Sequence, residues 1–334
     1  MTTARSRLTL KVPHDFDLQS AVCSYGYFVL APNQWDNDTQ SFRRPLTVNS
    51  NSQPVRITIR RDRKSRGKLE IVCDRKLTPP ERDEVKTQCR RMLRTEEDLT
   101  GWYALHPIAK RKRFGRLFRS PTLFEDIIKT ITGCNVTWTN TVRMNQLLCE
   151  RIGTDGAFPT PEQLAKVRSE RLKTLCKVGY RAERIVRLAR EVCHGRLNLS
   201  RLEEPGLSSH EVYHSLLKIH GIGPYAAANI CMLLGYYDRL AIDTETYRHF
   251  CQTFGVKRPK DPSRLHKRIE RHYARYNPYP FLAYWFELWC GYETANGKPA
   301  PQWRPEEAGN FTAAKLNKKK QESRNIRITA GHSR

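Results

Sequence analysis

Between residues 7 and 77 apolar side chains recur at every second position: Leu8, Leu10 and Val12, then Val55, Ile57 and Ile59, then Leu69, Ile71 and Cys73. Alternation over a few residues predicts strands with one buried face. The last two runs are joined by the polar "RRDRKSRGK", which predicts a hairpin. "YGYFVLAP", residues 25–32, reads as a further, more buried strand. From Pro79 the period changes, and Val85, Cys89 and Met92 fall at helical spacing behind an acidic first turn. Residues 102–295 then read as helix after helix. "SPTLFEDIIKTITG" opens on Ser120 as N-cap with Pro121 at the first helical position, and "RAERIVRLAREVCHG" closes on a glycine. Strands first and helices afterwards predict an α+β chain rather than alternating βα units. Its parts are an antiparallel β-rich domain over 1–100, an all-α domain over 101–298, and a basic tail over 299–334 in which the pattern fails.

Composition narrows the partners. Lys and Arg outnumber Asp and Glu by 59 to 34, a formal charge of +25. A chain this basic points to nucleic acid, where each neutralised phosphate releases counterions. No run approaches the ~20 apolar residues of a membrane span, so no membrane partner is expected. The N-terminus lacks the apolar core of a secretory signal. The ten cysteines include no Cys-x-x-Cys, which argues against a zinc site or a disulfide scaffold and fits a reducing, intracellular compartment.

The most informative stretch is "LLKIHGIGPYAAANICMLLG", residues 216–235. Leu216, Ile219, Gly221, Ile222, Gly223 and Ala227 fill a helix–hairpin–helix template. Glycines allow positive φ and a close backbone approach, while Ile222 between them pins the turn to the core. The amides at the start of the second helix then form an anion nest reinforced by the helix N-terminus. On a basic protein the anion to expect is a nucleic-acid phosphate, which makes His220, Gly221, Ile222, Gly223, Pro224, Tyr225 and Ala226 candidate DNA contacts. Past an apolar "LAI" comes Asp243, positioned to cap the helix that "TETYRHF" begins.

The whole arrangement of "HGIGPYAAANICMLLGYYDRLAIDTETYRHF" resembles the helix-hairpin-helix (HhH-GPD) DNA glycosylase superfamily. "FPTPEQLA" and "VGYRAERIVRLA" are similar to segments ahead of the hairpin in 3-methyladenine DNA glycosylase II and 8-oxoguanine DNA glycosylase, which also carry a strand-rich domain in front of the helices. The resemblance implies that Asp243 is the essential carboxylate, stabilising positive charge on the sugar as the base departs. Strand-cutting members have a lysine shortly after the second glycine; Tyr225 stands at that place here, and no lysine lies between Lys218 and Lys257. A monofunctional enzyme that releases the base by water attack is therefore implied. Only Cys251 and Cys290 follow Asp243, so the four-cysteine iron–sulfur cluster of the endonuclease III branch is not expected. No metal or other cofactor is expected beyond a monovalent cation that hairpin carbonyls in this family can hold.

A base inside a duplex must be flipped out and the gap filled. The turn "ITGCNVTWTN" offers Asn135 as the wedge, as in the 8-oxoguanine branch, and Tyr225, Trp138 and Trp285 are candidate walls of the base pocket. Electron-poor alkylated purines suit such faces through cation–π attraction. Oxidised purines are the close rival, uracil or mismatched adenine stay open, and a non-catalytic DNA-binding protein is the alternative from another class. The run "AKRKRFGRLFRS", with six basic residues between Lys110 and Arg119, reads as a phosphate track, a nuclear address or a solvated face. The expected partner is duplex DNA carrying a damaged base, met by a monomer in a bacterial cytoplasm or a nucleus.

Overall fold

The computed structural model describes residues 5–48, 53–62, 65, 67–304 and 306–307. Its first part is one antiparallel sheet in the order β1-β5-β4-β3-β2, formed by β1 (Arg7–Lys11), β2 (Gln34–Asp36), β3 (Ser41–Leu46), β4 (Val55–Arg61) and β5 (Lys68–Cys73). The alternating residues share one buried face, with Leu8 opposite Ile71 and Ile59 opposite both Ile71 and Phe42. β4 and β5 pair as the hairpin pattern predicts. β2 and β3 carry no clean alternation and are visible only in the structure.

"YGYFVLAP" is not a strand. Gly26–Val29 is a 3-10 turn whose bonds close locally, Phe28 N–H on the Tyr25 carbonyl at 3.1 Å and Leu30 N–H on the Tyr27 carbonyl at 3.0 Å. A coiled segment buries consecutive side chains, which a two-faced strand cannot, and Tyr25, Tyr27, Phe28, Val29 and Leu30 are all buried. The cap expected at Ser120 is also displaced. The helix Leu123–Gly133 is capped by Thr122, whose hydroxyl accepts from the Glu125 amide, while the Ser120 amide is bound by Asp126 at 2.8 Å.

Packing divides the chain differently from the pattern. One core joins the sheet to residues 228–303, and a second gathers the helices between Leu123 and Cys231. The two meet through buried charge. Arg44 of β3 makes a two-bond ion pair with Glu125, which Lys129 also approaches at 2.7 Å. Arg94 gives hydrogen bonds to the Met232 and Leu233 carbonyls at 2.9 and 2.7 Å. Arg119 adds a third at 3.0 Å, so two guanidinium groups cap the helix Pro224–Leu234 at its negative end. The second helix of the hairpin is thus anchored to the N-terminal part. The packed body runs past residue 299: Ala300–Gln302 is a 3-10 turn, and Trp303 is buried with its ring 4.8 Å from Trp289. Residues 300–303, which the pattern assigns to the tail, are thus part of the packed body, and residues 308–334 lie outside the described residues. No helix among those described is long and apolar enough to cross a membrane.

Candidate active site

The helix Ser209–Leu217 leads into the hairpin turn and the helix Pro224–Leu234 leads out of it. Ile222 is buried in the second core and fixes the turn from below, as its place between the glycines predicts. The two glycines have different reasons. Gly221 has φ +84°, which favours glycine, and its Cβ position would lie 2.5 Å from the Cδ of Arg184, so any side chain there would have to displace that arginine. Gly223 has φ −96°, acceptable to any residue, and nothing lies within 4 Å of its Cβ position. The bare backbone at 223 serves nothing inside the protein and leaves room for a ligand to approach from outside. That room adjoins the first turn of the next helix, whose amides at Tyr225 and Ala226 have no intrahelical acceptor. His220 is exposed beside it.

Asp243 caps the helix Thr244–Thr253. Its Oδ1 accepts two bonds from one residue, the Thr246 amide at 2.8 Å and the Thr246 hydroxyl at 2.9 Å. Neither Thr246 bond engages Oδ2, and the Glu245 backbone amide also favours the charged carboxylate. Burial raises the Asp243 pKa above the usual aspartate value, the two Thr246 bonds pull it back, and Glu245 adds to the rise. The two neighbouring acids are engaged elsewhere. Glu245 is held by Arg248 and by the Tyr292 hydroxyl at 2.6 Å, and Asp238 by the Ser209 hydroxyl at 2.6 Å.

Asp243 opens into a cavity of about 410 Å³. Tyr225, Trp138 and Trp285, which lie far apart in sequence, line the same cavity. Trp138 rests over Gly26, where a Cβ would come within 2.9 Å of its ring. Trp285 is set by its indole N–H on the Ser24 carbonyl at 2.8 Å and packs on Phe281 with planes 18° apart. Burial raises the Tyr225 pKa and the nearby Asp243 charge adds to it, so the phenol stays neutral.

Several lining residues lie outside the sequence reading. Tyr25 and Tyr27 come from the N-terminal 3-10 turn, and Trp289, Tyr292 and Trp303 from the end of the packed body. A polar chain crosses the lining: the Tyr25 hydroxyl donates to Asn229 at 2.8 Å, and Asn229 donates to Thr130 at 3.3 Å. Two tyrosines around one glycine in "SYGYF" were the available signal, obscured because the segment also fits a core strand. Lys129 is a cavity-lining lysine, fully buried and paired with Glu125.

Asn135 is exposed, outside the cavity, between the lining residues Gly133 and Val136. Its φ of +51° is left-handed, which asparagine tolerates better than most residues. Arg181 holds the turn through the Ile131 carbonyl at 3.1 Å and the Asn135 carbonyl at 3.2 Å. The neighbouring Tyr180 is 52% exposed, with the Arg181 and Arg184 guanidinium groups over its ring at 4.6 and 5.0 Å. Sequence reading did not single it out. An exposed aromatic backed by two arginines, one of which reaches the hairpin at Gly221, is a surface suited to nucleic acid. No group of His, Cys, Asp and Glu arranged to hold a metal is found among the described residues.

A model of the HhH-GPD superfamily of base excision DNA repair proteins matches residues 128–275, which include the hairpin and Asp243. It is this segment of the chain, residues 128–275, that is of the HhH-GPD superfamily. A candidate DNA-3-methyladenine glycosylase of Bacillus subtilis (strain 168), YfjP, is 32% identical over 75 residues, 22% of this chain. The match spans about a quarter of that relative's length, 25%. The 3-methyladenine DNA glycosylase of Archaeoglobus fulgidus shares the fold with TM-score 0.64 and 18% identity, over 84% of this chain and 98% of that one. The 8-oxoguanine glycosylase/lyase of Clostridium acetobutylicum, solved with duplex DNA containing cytosine opposite 8-oxoguanine, gives TM-score 0.61 and 15% identity, over 89% and 100%. At these identities the two structural likenesses concern the fold alone.

Proposed function

We propose that this chain is a monofunctional DNA N-glycosylase of base excision repair, acting on alkylated purines. The observation that carries the reading is the half-engaged carboxylate of Asp243 at the wall of an aromatic cavity beside the hairpin. Duplex DNA is taken at the hairpin, with phosphate against the backbone of Gly223 through Ala226, and at the turn holding Asn135, which fills the gap left by the flipped base. The base enters between Tyr225, Trp138 and Trp285. As the N-glycosidic bond breaks, the electron pair leaves with the base and positive charge grows on the sugar. A fixed anion with one oxygen outside the Thr246 bonds stabilises that charge and orients the attacking water, whose proton the carboxylate can take. The product is an abasic site with the strand intact.

Alkylated purines are favoured because eleven electron-rich rings line the cavity, and such faces attract an electron-poor or cationic base. The absence of strand cutting rests on Tyr225 at the hairpin, and on Lys129 being closed off by its pairing with Glu125. Oxidised purines form a second reading, supported by the Tyr25–Asn229–Thr130 chain, which offers polar groups to a base edge.

Duplexes each carrying one alkylated purine, 8-oxoguanine, hypoxanthine, uracil or an adenine mismatch test the proposal, with each product divided between hot alkali and no treatment. Release of an alkylated purine with cleavage only after alkali supports it. Preferential release of 8-oxoguanine would transfer the reading to oxidised purines. Cutting without alkali would implicate an amine nucleophile, and tight binding with no release from any duplex would make the protein a non-catalytic binder.

A further inference from the structure

The helix Pro262–Tyr273 buries Leu265, Ile269 and Tyr273 and turns Arg264, Lys267, Arg268 and Arg271 to solvent. These four fall at i, i+3, i+4 and i+7, a stripe about 10 Å long on one face of the helix. None of them is ion-paired among the described residues, although the acid on the same helix, Glu270, stands 3.5 Å from His266. Two cations largely shielded from solvent, by contrast, are tied to carboxylates: Arg44 to Glu125 and Arg91 to Asp126. Four like charges held together and unpaired repel one another, a cost that an anionic partner would remove.

Beside the stripe is a cleft lined by the four cations together with Phe250, Phe254 and His272. Phe254 is 38% exposed, and its ring lies 4.3 Å from that of His272 and 4.7 Å from that of Phe250. Phe254 follows the helix that Asp243 opens, so the cleft sits on the order of 15 Å from the catalytic end at 1.5 Å per residue. It is a separate surface from the base cavity.

We propose that this cleft docks an acidic segment of a partner protein that carries one large apolar side chain. The apolar group covers Phe254 while carboxylates meet the face from Arg264 to Arg271. Intact duplex offers phosphates to the cations but keeps its bases stacked and leaves the ring exposed; an acidic amphipathic segment uses both, which is what favours a protein over duplex DNA here.

The test uses the full chain and a fluorescent peptide bearing four glutamates at i, i+3, i+4 and i+7 around one phenylalanine. A second peptide has serine in place of the phenylalanine, and an undamaged duplex serves as the third probe. Binding is followed by anisotropy at physiological ionic strength. The proposal expects saturable binding of the first peptide, weakened about tenfold or more by the serine replacement, by Phe254→Ser, and by the triple variant Arg264→Glu, Lys267→Glu, Arg268→Glu. Duplex affinity should stay within about twofold in both protein variants, since the phosphate contacts assigned above lie at the hairpin. Thermal melts confirm that the exposed substitutions fold, and Phe254→Leu should retain peptide binding. Equal binding of both peptides, or none, would overturn the proposal. Loss of duplex affinity in the triple variant, matching its loss for peptide, would make the stripe a DNA surface instead.

Discussion

The hydroxyl of Thr246 donates to Oδ1 of Asp243 at 2.9 Å, while the Thr246 Oγ1 itself accepts from the Asp243 amide at 3.2 Å. Because that hydroxyl has one proton and gives it to the carboxylate, the Tyr284 hydroxyl, 3.0 Å away, must be a donor to Thr246. The chain Tyr284–Thr246–Asp243 therefore fixes one carboxylate oxygen and leaves the other for chemistry.

Thr246→Val keeps the shape and removes the hydroxyl. The variant should be destabilised by about 1–3 kcal/mol, because the buried Tyr284 hydroxyl loses its acceptor. Base release should slow by about tenfold, the effect of one charge-assisted hydrogen bond. A hydrogen bond that favours the ionised carboxylate is also lost, so the acid limb of the pH–rate profile should move to higher pH. A rate loss with an unmoved limb would mean that Thr246 acts on structure alone.

In the wild type, burial holds the Asp243 pKa above its usual range, so the acid limb of base release should lie above the ~3.9 of a free aspartate. The stability consequence has a definite sign. A carboxyl whose folded pKa is raised contributes most below its unfolded pKa, and that contribution is lost as pH rises through the folded value. Asp243→Asn retains a good N-cap and does not ionise. Its melting temperature should equal or exceed that of the wild type at neutral pH, with the difference shrinking toward the ordinary aspartate range. Melts from mildly acidic to neutral pH check this.

The two hairpin glycines should separate binding from folding. Gly223→Ala meets no neighbour and no backbone strain, so stability should fall by no more than about 1 kcal/mol. Its affinity for duplex should nevertheless fall at least about tenfold if phosphate approaches that backbone. Gly221→Ala places a side chain at φ +84° against Arg184 and should cost about 1–3 kcal/mol of stability as well. Urea melts beside duplex titrations distinguish the two effects.

The Arg44–Glu125–Lys129 cluster ties the sheet to the helix leading to Asn135. Burial raises the Glu125 carboxyl, but Arg44 and Lys129 outweigh it and hold the pKa at about 2. Its contribution is present above the unfolded pKa and is lost as pH falls from there through about 2. Arg44→Met strips two hydrogen bonds from the buried Glu125 carboxylate, leaving it Lys129 alone, and should cost about 1–3 kcal/mol in denaturant unfolding at neutral pH.

Much of this architecture is legible where one local rule governs. Alternation places β1, β4 and β5, a capping position marks Asp243, and Gly-Ile-Gly at template spacing marks the hairpin. Legibility ends where long-range packing decides. The segment containing Tyr25 and Tyr27 is apolar enough for a strand, and only its place beneath Trp138 and Trp285 makes it part of a cavity wall. Trp303 lies beyond the point where the helical period fails, yet the Trp289 ring provides a partner that no period could announce. Gly221 and Gly223 look alike in sequence, and their different reasons appear only with φ and the position of Arg184.

The most direct test of the central claim is the single-turnover rate of base release from an alkylated-purine duplex by wild type and Asp243→Asn, with duplex affinity measured on the same preparations. The carboxylate account predicts a fall of at least about 10²–10³-fold in rate with affinity unchanged or stronger, since the folded cap and the hairpin are intact. Release by Asp243→Asn at a rate near that of the wild type would contradict it and place the chemistry on another group.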